Sequence, residues 1–309
     1  MANSYPFPID PKLTGIALAY KNDSYIADAV LPRVKVPSST FRYRVYDKGT
    51  FLTPVDSKVG RKSMPNEVET GYTEASSFVE DYGLDDVIPY DDILNAPEGY
   101  NPQYEAVEYL AELIALNREK RVADLVFSEN SYAAGCKTTL TGTSQFSHAS
   151  SDPIATLVTA LETPFARPNT IIMGREVWIK LCRHSGILQT FYPNANGNGI
   201  ITPEQLASIL DVERVLIGNA RINTANRGQA ANIGRLWGKH VALLYLDPAA
   251  TVKNRLTWGL TAEFGSRVSG SMAEPEKGLR GSTRVRVGET LRELVLCNEA
   301  GYFIKNAVA

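Results

Sequence analysis

The stretch "NPQYEAVEYLAELIALNREKRVADLVF", residues 101–127, decides how the rest of the chain is read. Asn101 is a capping residue, and Pro102 suits the first helical position, where its missing N–H would have no partner in any case. Val107, Leu110, Ile114, Leu125 and Val126 keep helical spacing, and Leu113, Leu116 and Val122 widen the apolar face. Glu105, Glu108 and Glu112 lie toward the start, with Arg118, Lys120 and Arg121 toward the end, the order that the helix dipole favours. The pattern predicts one helix from 102 to 127, roughly 40 Å long at ~1.5 Å per residue. Such a length suits a spine against which other elements lie.

Upstream, "FRYRVY" at 41–46 alternates apolar residues with Arg42 and Arg44, the period of a strand with one polar face. "YTEASSFVEDYG" at 72–83 is its expected return partner, and the long polar segment between them carries Gly49, Pro54, Gly60 and Pro65. Loops of this length are uncommon unless functional, so residues 41–80 read as a projecting hairpin. The first forty residues, with Pro6, Pro8, Pro11, Pro32 and Pro37, read as an arm that something else must tie down.

The charges fall into opposed blocks. Residues 1–62 hold ten Lys or Arg against five Asp or Glu, while 63–117 hold thirteen Asp or Glu and no Lys or Arg. A basic hairpin tip cannot easily fold back onto the body that it leaves, so the expected partner is a second copy, in a head-to-tail contact that closes into a ring. The expected interface residues are Lys58, Arg61 and Lys62 at the tip, Arg42 and Arg44 on the hairpin, and Glu67, Glu69, Glu80, Asp81, Asp85, Asp86, Asp91 and Asp92 on the acidic side.

Downstream, "SDPIATLVTALE" at 151–162 predicts a helix capped by Ser151 or Asp152 and opened by Pro153. "NTIIMGREVWIKLCRH" at 169–184 reads strand, Gly174, helix; "TPEQLASIL" at 202–210 has capping-box spacing before the strand "RVLIG"; and "HVALLYL" at 240–246 is a buried strand. Residues 169–267 therefore form an expected α/β unit, interrupted by the "NANGNG" loop at 194–199. "TRVRVGE" and "ELVLCNEAGYFIKNA" return to strands, the latter as two around a turn at 298–301 that rejoin the sheet beside the long helix.

Several chemistries are disfavoured. The 309 residues carry a formal net charge of -2, against a binder that neutralises phosphates over its whole surface. Cys136, Cys182 and Cys297 form no Cys-x-x-Cys pair, and His148 and His240 have no companion at metal-ligand spacing. The carboxylates from Glu80 to Asp92 lack the glycine-punctuated spacing of a calcium loop and read as a solvated face. No phosphate-binding glycine motif is present, no cofactor is expected, and no apolar run is long enough to span a bilayer. With no secretory leader either, the chain is expected in the cytoplasm when made. "LCRHSG" at 181–186 offers Cys182, His184 and Ser185, but side chains two apart on a helix diverge, so a cysteine hydrolase is only a rival reading.

The order of arm, long hairpin, spine helix, α/β unit and returning strands resembles the major capsid proteins of tailed bacteriophages with the Hong Kong 97-type fold. The matching stretches are "GIALAYKNDSYIADAVLPRVKV", "YRVYDKG", "NREKRVADLVF" and "RVLIGNARINTAN". The resemblance implies an α+β fold with an N-terminal arm (1–40), an extended loop over a neighbour (41–80), a peripheral domain with the spine (81–168), an axial domain (169–267) and a return to the peripheral domain (268–309). It implies hexamers and pentamers of an icosahedral phage head, a virion shell enclosing double-stranded DNA without sequence-specific binding. Expected partners are the protein itself and scaffold, portal and decoration proteins, with assembly in the host cytoplasm and no membrane. Some relatives of this type crosslink a loop lysine to a neighbour's asparagine; Lys58, Lys62, Asn298 and Asn306 supply the residue types here. Some members begin with a scaffolding segment removed by protease; none is expected before this arm, which implies either a separate scaffold protein or a chain already in its mature form. An encapsulin-like nanocompartment shell is the alternative within the same fold.

Overall fold

The computed structural model describes residues 7–45, 54–67, 73–192, 199–226 and 228–309. Asp10 accepts a hydrogen bond from the Lys12 N–H and Pro11 follows it, so the arm coils into a helix, Pro11–Ala19, which buries Leu13 and Ala17. A short helix, Ala27–Val30, precedes β1 (Arg33–Lys35). The hairpin strands β2 (Thr40–Val45) and β3 (Thr73–Phe78) pair antiparallel, Thr40 opposite Phe78 and Val45 opposite Thr73. At Val79 the chain turns inward, its N–H donating to the Ser39 carbonyl, and β4 (Glu80–Pro89) begins. The run 72–83 is therefore two strands in different sheets.

The spine helix spans Pro102–Val126, and Asn101 accepts from the Gln103 N–H as its cap. Its N-terminal half packs Val107, Leu110 and Ile114 against Leu13, Ile88, Val285 and Val287. Its C-terminal half packs Val122, Ala123 and Val126 into a second core around Leu31, Trp237, Trp258 and Phe303. Each of these larger side chains contributes about 1.5–3 kcal/mol by leaving water. Between the two apolar stretches the buried face is completed by Arg118 and Glu119, not by an apolar pair.

After the spine come β5 (Lys137–Thr139), a helix Pro153–Glu162 capped by Asp152, and β6 (Thr170–Gly174). Helices Arg175–Leu181, Ser185–Phe191 and Pro203–Leu210 lead to β7 (Arg214–Gly218), the last helix opened by the Thr202/Gln205 capping box. The remaining strands are β8 (Arg221–Asn223), β9 (Ile233–Arg235), β10 (Val241–Leu244), β11 (Gly259–Glu263), β12 (Val268–Glu274), β13 (Ser282–Val295) and β14 (Gly301–Lys305).

Two five-stranded sheets organise them. In one, β13 carries β4 along one edge and β12 then β11 along the other, with β1 parallel to β11. The other runs β5-β14-β10-β6-β7, with β6 and β10 fully buried. Glycine is needed where β6 and β7 end: a Cβ at Gly174 would lie 2.0 Å from the Gly238 carbonyl oxygen, and one at Gly218 2.1 Å from the Trp237 ring.

Three features differ from the sequence pattern. β13 and β14 do not form a hairpin; β13 alternates and faces one core, whereas Gly301, Tyr302, Phe303 and Ile304 are all buried and suit an interior strand of the other sheet. Residues 137–162, next to the spine in sequence, belong to the second sheet, because Cys136, Leu140, Phe146, Leu157 and Leu161 share a core with Ile171 and Met173. β11, at 259–263, lies in the first sheet rather than in the α/β unit, drawn there by its pairing with β13.

Candidate subunit interface

The acidic block finds much of its countercharge within the chain. Asp85 lies opposite Arg286, and accepts from its Nε (2.6 Å) and Nη2 (2.7 Å) and from Arg284 Nη1 (2.7 Å). The Arg286 fork, with Arg284 behind it, holds the Asp85 carboxyl below the usual carboxylate range. Arg292 binds Glu80, Arg280 binds Asp91 at 2.7 Å, and Thr290 donates to Asp81. Glu80, Asp85 and Asp91 are thus neutralised by the returning strand β13 and the turn before it. Part of the acidic side expected at the interface is thus paired within the chain: its arginines stand about two hundred positions away in sequence, where no local pattern links them.

What remains is a groove of about 590 Å³ between the end of β4, the helix Tyr90–Leu94 and the start of the spine. Asp86, Asp92 and Glu105 line it with Tyr100 and Tyr109, and among the described residues no cation pairs with these three carboxylates. Tyr100 and Tyr109 are 49% and 60% exposed.

The hairpin tip has the opposite character. Residues 54–67 are exposed throughout, and among the described residues Lys58, Arg61 and Lys62 make no ion pair. The tip is shaped locally, by the Lys58 N–H on the Asp56 carboxylate and the Asn66 amide on the Asp56 carbonyl. Met64, 91% exposed, stands beside these cations with Val55 and Val59. Arg42 pairs with Glu74 across the hairpin at 3.3 Å, and the Arg44 N–H donates to the Val252 carbonyl at its base. Glu67 is exposed near the tip; Glu69 lies outside the described residues, as does the glycine- and asparagine-rich loop at 194–198.

The arm is fixed by two spine carboxylates, of which the sequence pattern read Glu112 only as a charge matching the helix dipole and gave Glu119 no role. Glu119, fully buried, accepts from the Ile26 N–H (3.0 Å), the Ala27 N–H (2.8 Å) and Trp237 Nε1 (2.6 Å). Burial pushes its carboxyl up, against the pull of those donors. Two turns earlier Glu112 accepts from Tyr20, Asn22 and Tyr25, and the Tyr20 hydroxyl is pushed up to about 12 by that bond. Arg118 reaches Asp28 (2.6 Å), the Leu31 carbonyl and Thr261. The only sequence signal was negative: two charges where the helical stripe demands apolar residues.

Cys182 and His184 do not form a catalytic pair. Cys182 Sγ approaches the Ile179 carbonyl, and burial raises its thiol pKa. His184 Nδ1 accepts from the Gly186 N–H as a helix cap, which places the ring proton on Nε2, facing the His148 carbonyl (3.2 Å) and Ser151 Oγ (3.1 Å). A ring nitrogen so protonated cannot take a proton from either neighbour. Among the described residues no group of His, Cys, Asp and Glu could hold a metal ion, and no helix is long and apolar enough to cross a membrane.

No family model matches the chain. It is 46% identical over 309 residues to the major capsid protein of Pseudomonas phage JBD67, covering all of both chains. Among solved structures it is similar to a phage-related protein from Bordetella bronchiseptica, with a TM-score of 0.75 and 21% identity, over 97% of this chain and 98% of that one. It is also similar to the capsid of cyanophage P-SCSP1u, with a TM-score of 0.60 and 9% identity, over 99% and 92% of the two chains.

Proposed function

Because the chain belongs to the phage major capsid proteins of Hong Kong 97-type fold, we propose that its copies build the hexamers and pentamers of an icosahedral head around double-stranded DNA. The role is structural, and the contact that directs it is basic hairpin tip to acidic groove. The observation that carries this is the pair of surfaces unmatched among the described residues of one chain: Lys58, Arg61 and Lys62 without anions, and Asp86, Asp92 and Glu105 without cations. Neither can satisfy the other in cis while the hairpin projects, so a neighbour's groove receives the tip and sets the register between subunits. Arg42, Arg44 and Glu67 flank that contact, whereas Glu80, Asp81, Asp85 and Asp91 act on it indirectly, by stiffening the sheet that bears the groove.

The assembled protein resides in the virion shell and is built in the host cytoplasm. Scaffold, portal and decoration proteins are its further partners, and the DNA is enclosed without base-specific contacts. Lys58 and Lys62 serve the interface as charges; a covalent link to Asn298 or Asn306 would appear as a ladder on a denaturing gel of particles.

Sedimentation and electron microscopy of the purified chain, alone and with its scaffold, test the proposal. Capsomer rings or closed shells are expected, and a monodisperse monomer in both preparations would refute it. Reversing Lys58, Arg61 and Lys62 to Glu is expected to abolish shells at low salt. Reversing Asp86, Asp92 and Glu105 to Lys in the same chain is expected to restore them.

A further inference from the structure

A second charge block remains after the interface is accounted for. Residues 214–246 hold Arg214, Arg221, Arg227, Arg235 and Lys239 and no Asp or Glu. The middle of this block forms β8 and β9, a two-stranded hairpin that joins neither large sheet. Its root is fixed by buried Ala220 and Trp237, with the Leu236 N–H on the Ala220 carbonyl.

Just outside that root Arg221 and Arg235 are directly opposite in the antiparallel register, so both side chains leave the same face. Like charges in that position repel, and nothing in the hairpin offsets them. Arg235 has one distant anion, Glu176 at 3.7 Å; Arg221 is exposed and forms no ion pair among the described residues. Beyond them the exposed residues include the polar Asn223, Thr224, Asn226, Gln229 and Asn232, uncharged and rich in donors, together with Ala230, Ala231 and Ile233. The Asn223 carbonyl oxygen is occupied by the N–H groups of Ala225 and Asn232, leaving its amide N–H₂ to face outward contacts.

We propose that this hairpin binds the phosphate backbone of duplex DNA, with Arg221 and Arg235 bracketing phosphates and the amides completing the contact. The inference rests on the reading that the shell encloses DNA. Arginines with amide and hydroxyl donors are the set that contacts phosphates without reading bases. A close arginine pair also becomes favourable only when an anion sits between its members. A second copy's acidic surface is the competing occupant, but it would make the hairpin necessary for assembly.

The test is binding of a fluorescein-labelled thirty-base-pair duplex of mixed sequence to the purified full-length protein, by anisotropy across a salt series. The same preparations are assembled and imaged. For the Arg221→Gln/Arg235→Gln variant, normal shells and a slope of log K against log salt shallower by about 1.8 are expected, two contacts at ~0.9 each. Arg221→Lys/Arg235→Lys should restore the slope. An unchanged slope, absence of duplex binding by the wild type, or loss of shells in the glutamine variant would overturn the proposal. Failure of the wild-type chain to assemble would instead count against the capsid reading, independently of the binding result.

Discussion

Replacing Glu119 by alanine strips the acceptor from three donors at once: the Ile26 and Ala27 N–H groups and the Trp237 indole N–H. The Ala27 and Trp237 donors are held away from water by the packing of Ala27, Val30 and Trp237, and the Ile26 N–H is part-buried beside them. Leaving a buried donor unpaired costs about 1–3 kcal/mol, so three would cost about 3–9 kcal/mol if none found water. Removing a buried carboxylate returns part of this, since burial disfavours its charge, and a net loss of about 3–5 kcal/mol is expected. Glu119→Gln keeps one carbonyl oxygen facing the donors but turns an amide N–H₂ toward the others, and should lose about 1–3 kcal/mol. Trp237→Tyr would not rank with them in a simple way, because it also empties core volume. Urea denaturation of the unassembled chain gives the free energies, and limited proteolysis between residues 20 and 36 reports whether the arm has been released. Glu119→Ala within about 1 kcal/mol of wild type, with the arm still protected, would refute the view that this carboxylate latches the arm to the spine.

Asp85→Asn should lose about 1–3 kcal/mol, because the amide cannot accept the Arg286 fork and Arg284 together. The carboxyl is held low when folded, so its stabilisation is present above the usual carboxylate pKa of about 3.9 and vanishes as pH falls through the depressed value. The acid limb of a stability–pH curve should flatten in the variant. Burial lowers the His240 pKa from its ordinary 6.5, with Lys305 adding to the effect. Between that lowered value and about pH 6.5 the unfolded chain binds more protons than the folded one, so stability should decrease as pH drops through that window, and His240→Gln should remove that slope. Cys136, Cys182 and Cys297 are all buried, so a thiol reagent should label the native protein slowly and all three residues rapidly in denaturant. Rapid native labelling of Cys182 would reopen the hydrolase reading.

The elements legible in the sequence were those fixed by neighbours a few positions away. The Asn101 cap, Pro102 and the apolar spacing locate the spine, and Thr202 with Gln205 locates the helix before β7. The hidden features depend on long-range pairing. Nothing near Tyr302 states that its strand will lie between β5 and β10 while the preceding strand joins the other sheet. Nothing near Asp85 states that Arg284 and Arg286 will lie across a ladder from it. Arg118 and Glu119 were visible as interruptions of an apolar stripe, but their meaning requires the arm to be in place. The two charge blocks were readable in the sequence, whereas which of their members are paired within the chain was not.

The acidic block gains its specificity from what is subtracted from it. Of the carboxylates between residues 63 and 117, Glu74, Glu80, Asp85 and Asp91 hold arginines, while Asp81 and Glu112 hold neutral donors. Had all of them faced solvent uncompensated, their mutual repulsion would have strained the sheet, and a basic tip could have settled at many registers along it. Internal pairing removes several of those alternatives. Among the described residues it leaves Glu67, Asp86, Asp92, Glu98, Glu105 and Glu108 without a cation, and of these Asp86, Asp92 and Glu105 gather around one concave surface walled by Tyr100 and Tyr109. On the proposed interface, the arginines of β13 would contribute to assembly without touching a neighbour. On that reading, neutralising Arg284 and Arg286 should loosen subunit register by freeing Asp85 to compete for the tip, an effect opposite in origin to weakening the tip itself and separable from it because adding Asp85→Asn, which removes the freed carboxylate, should reverse it in the assembly assay.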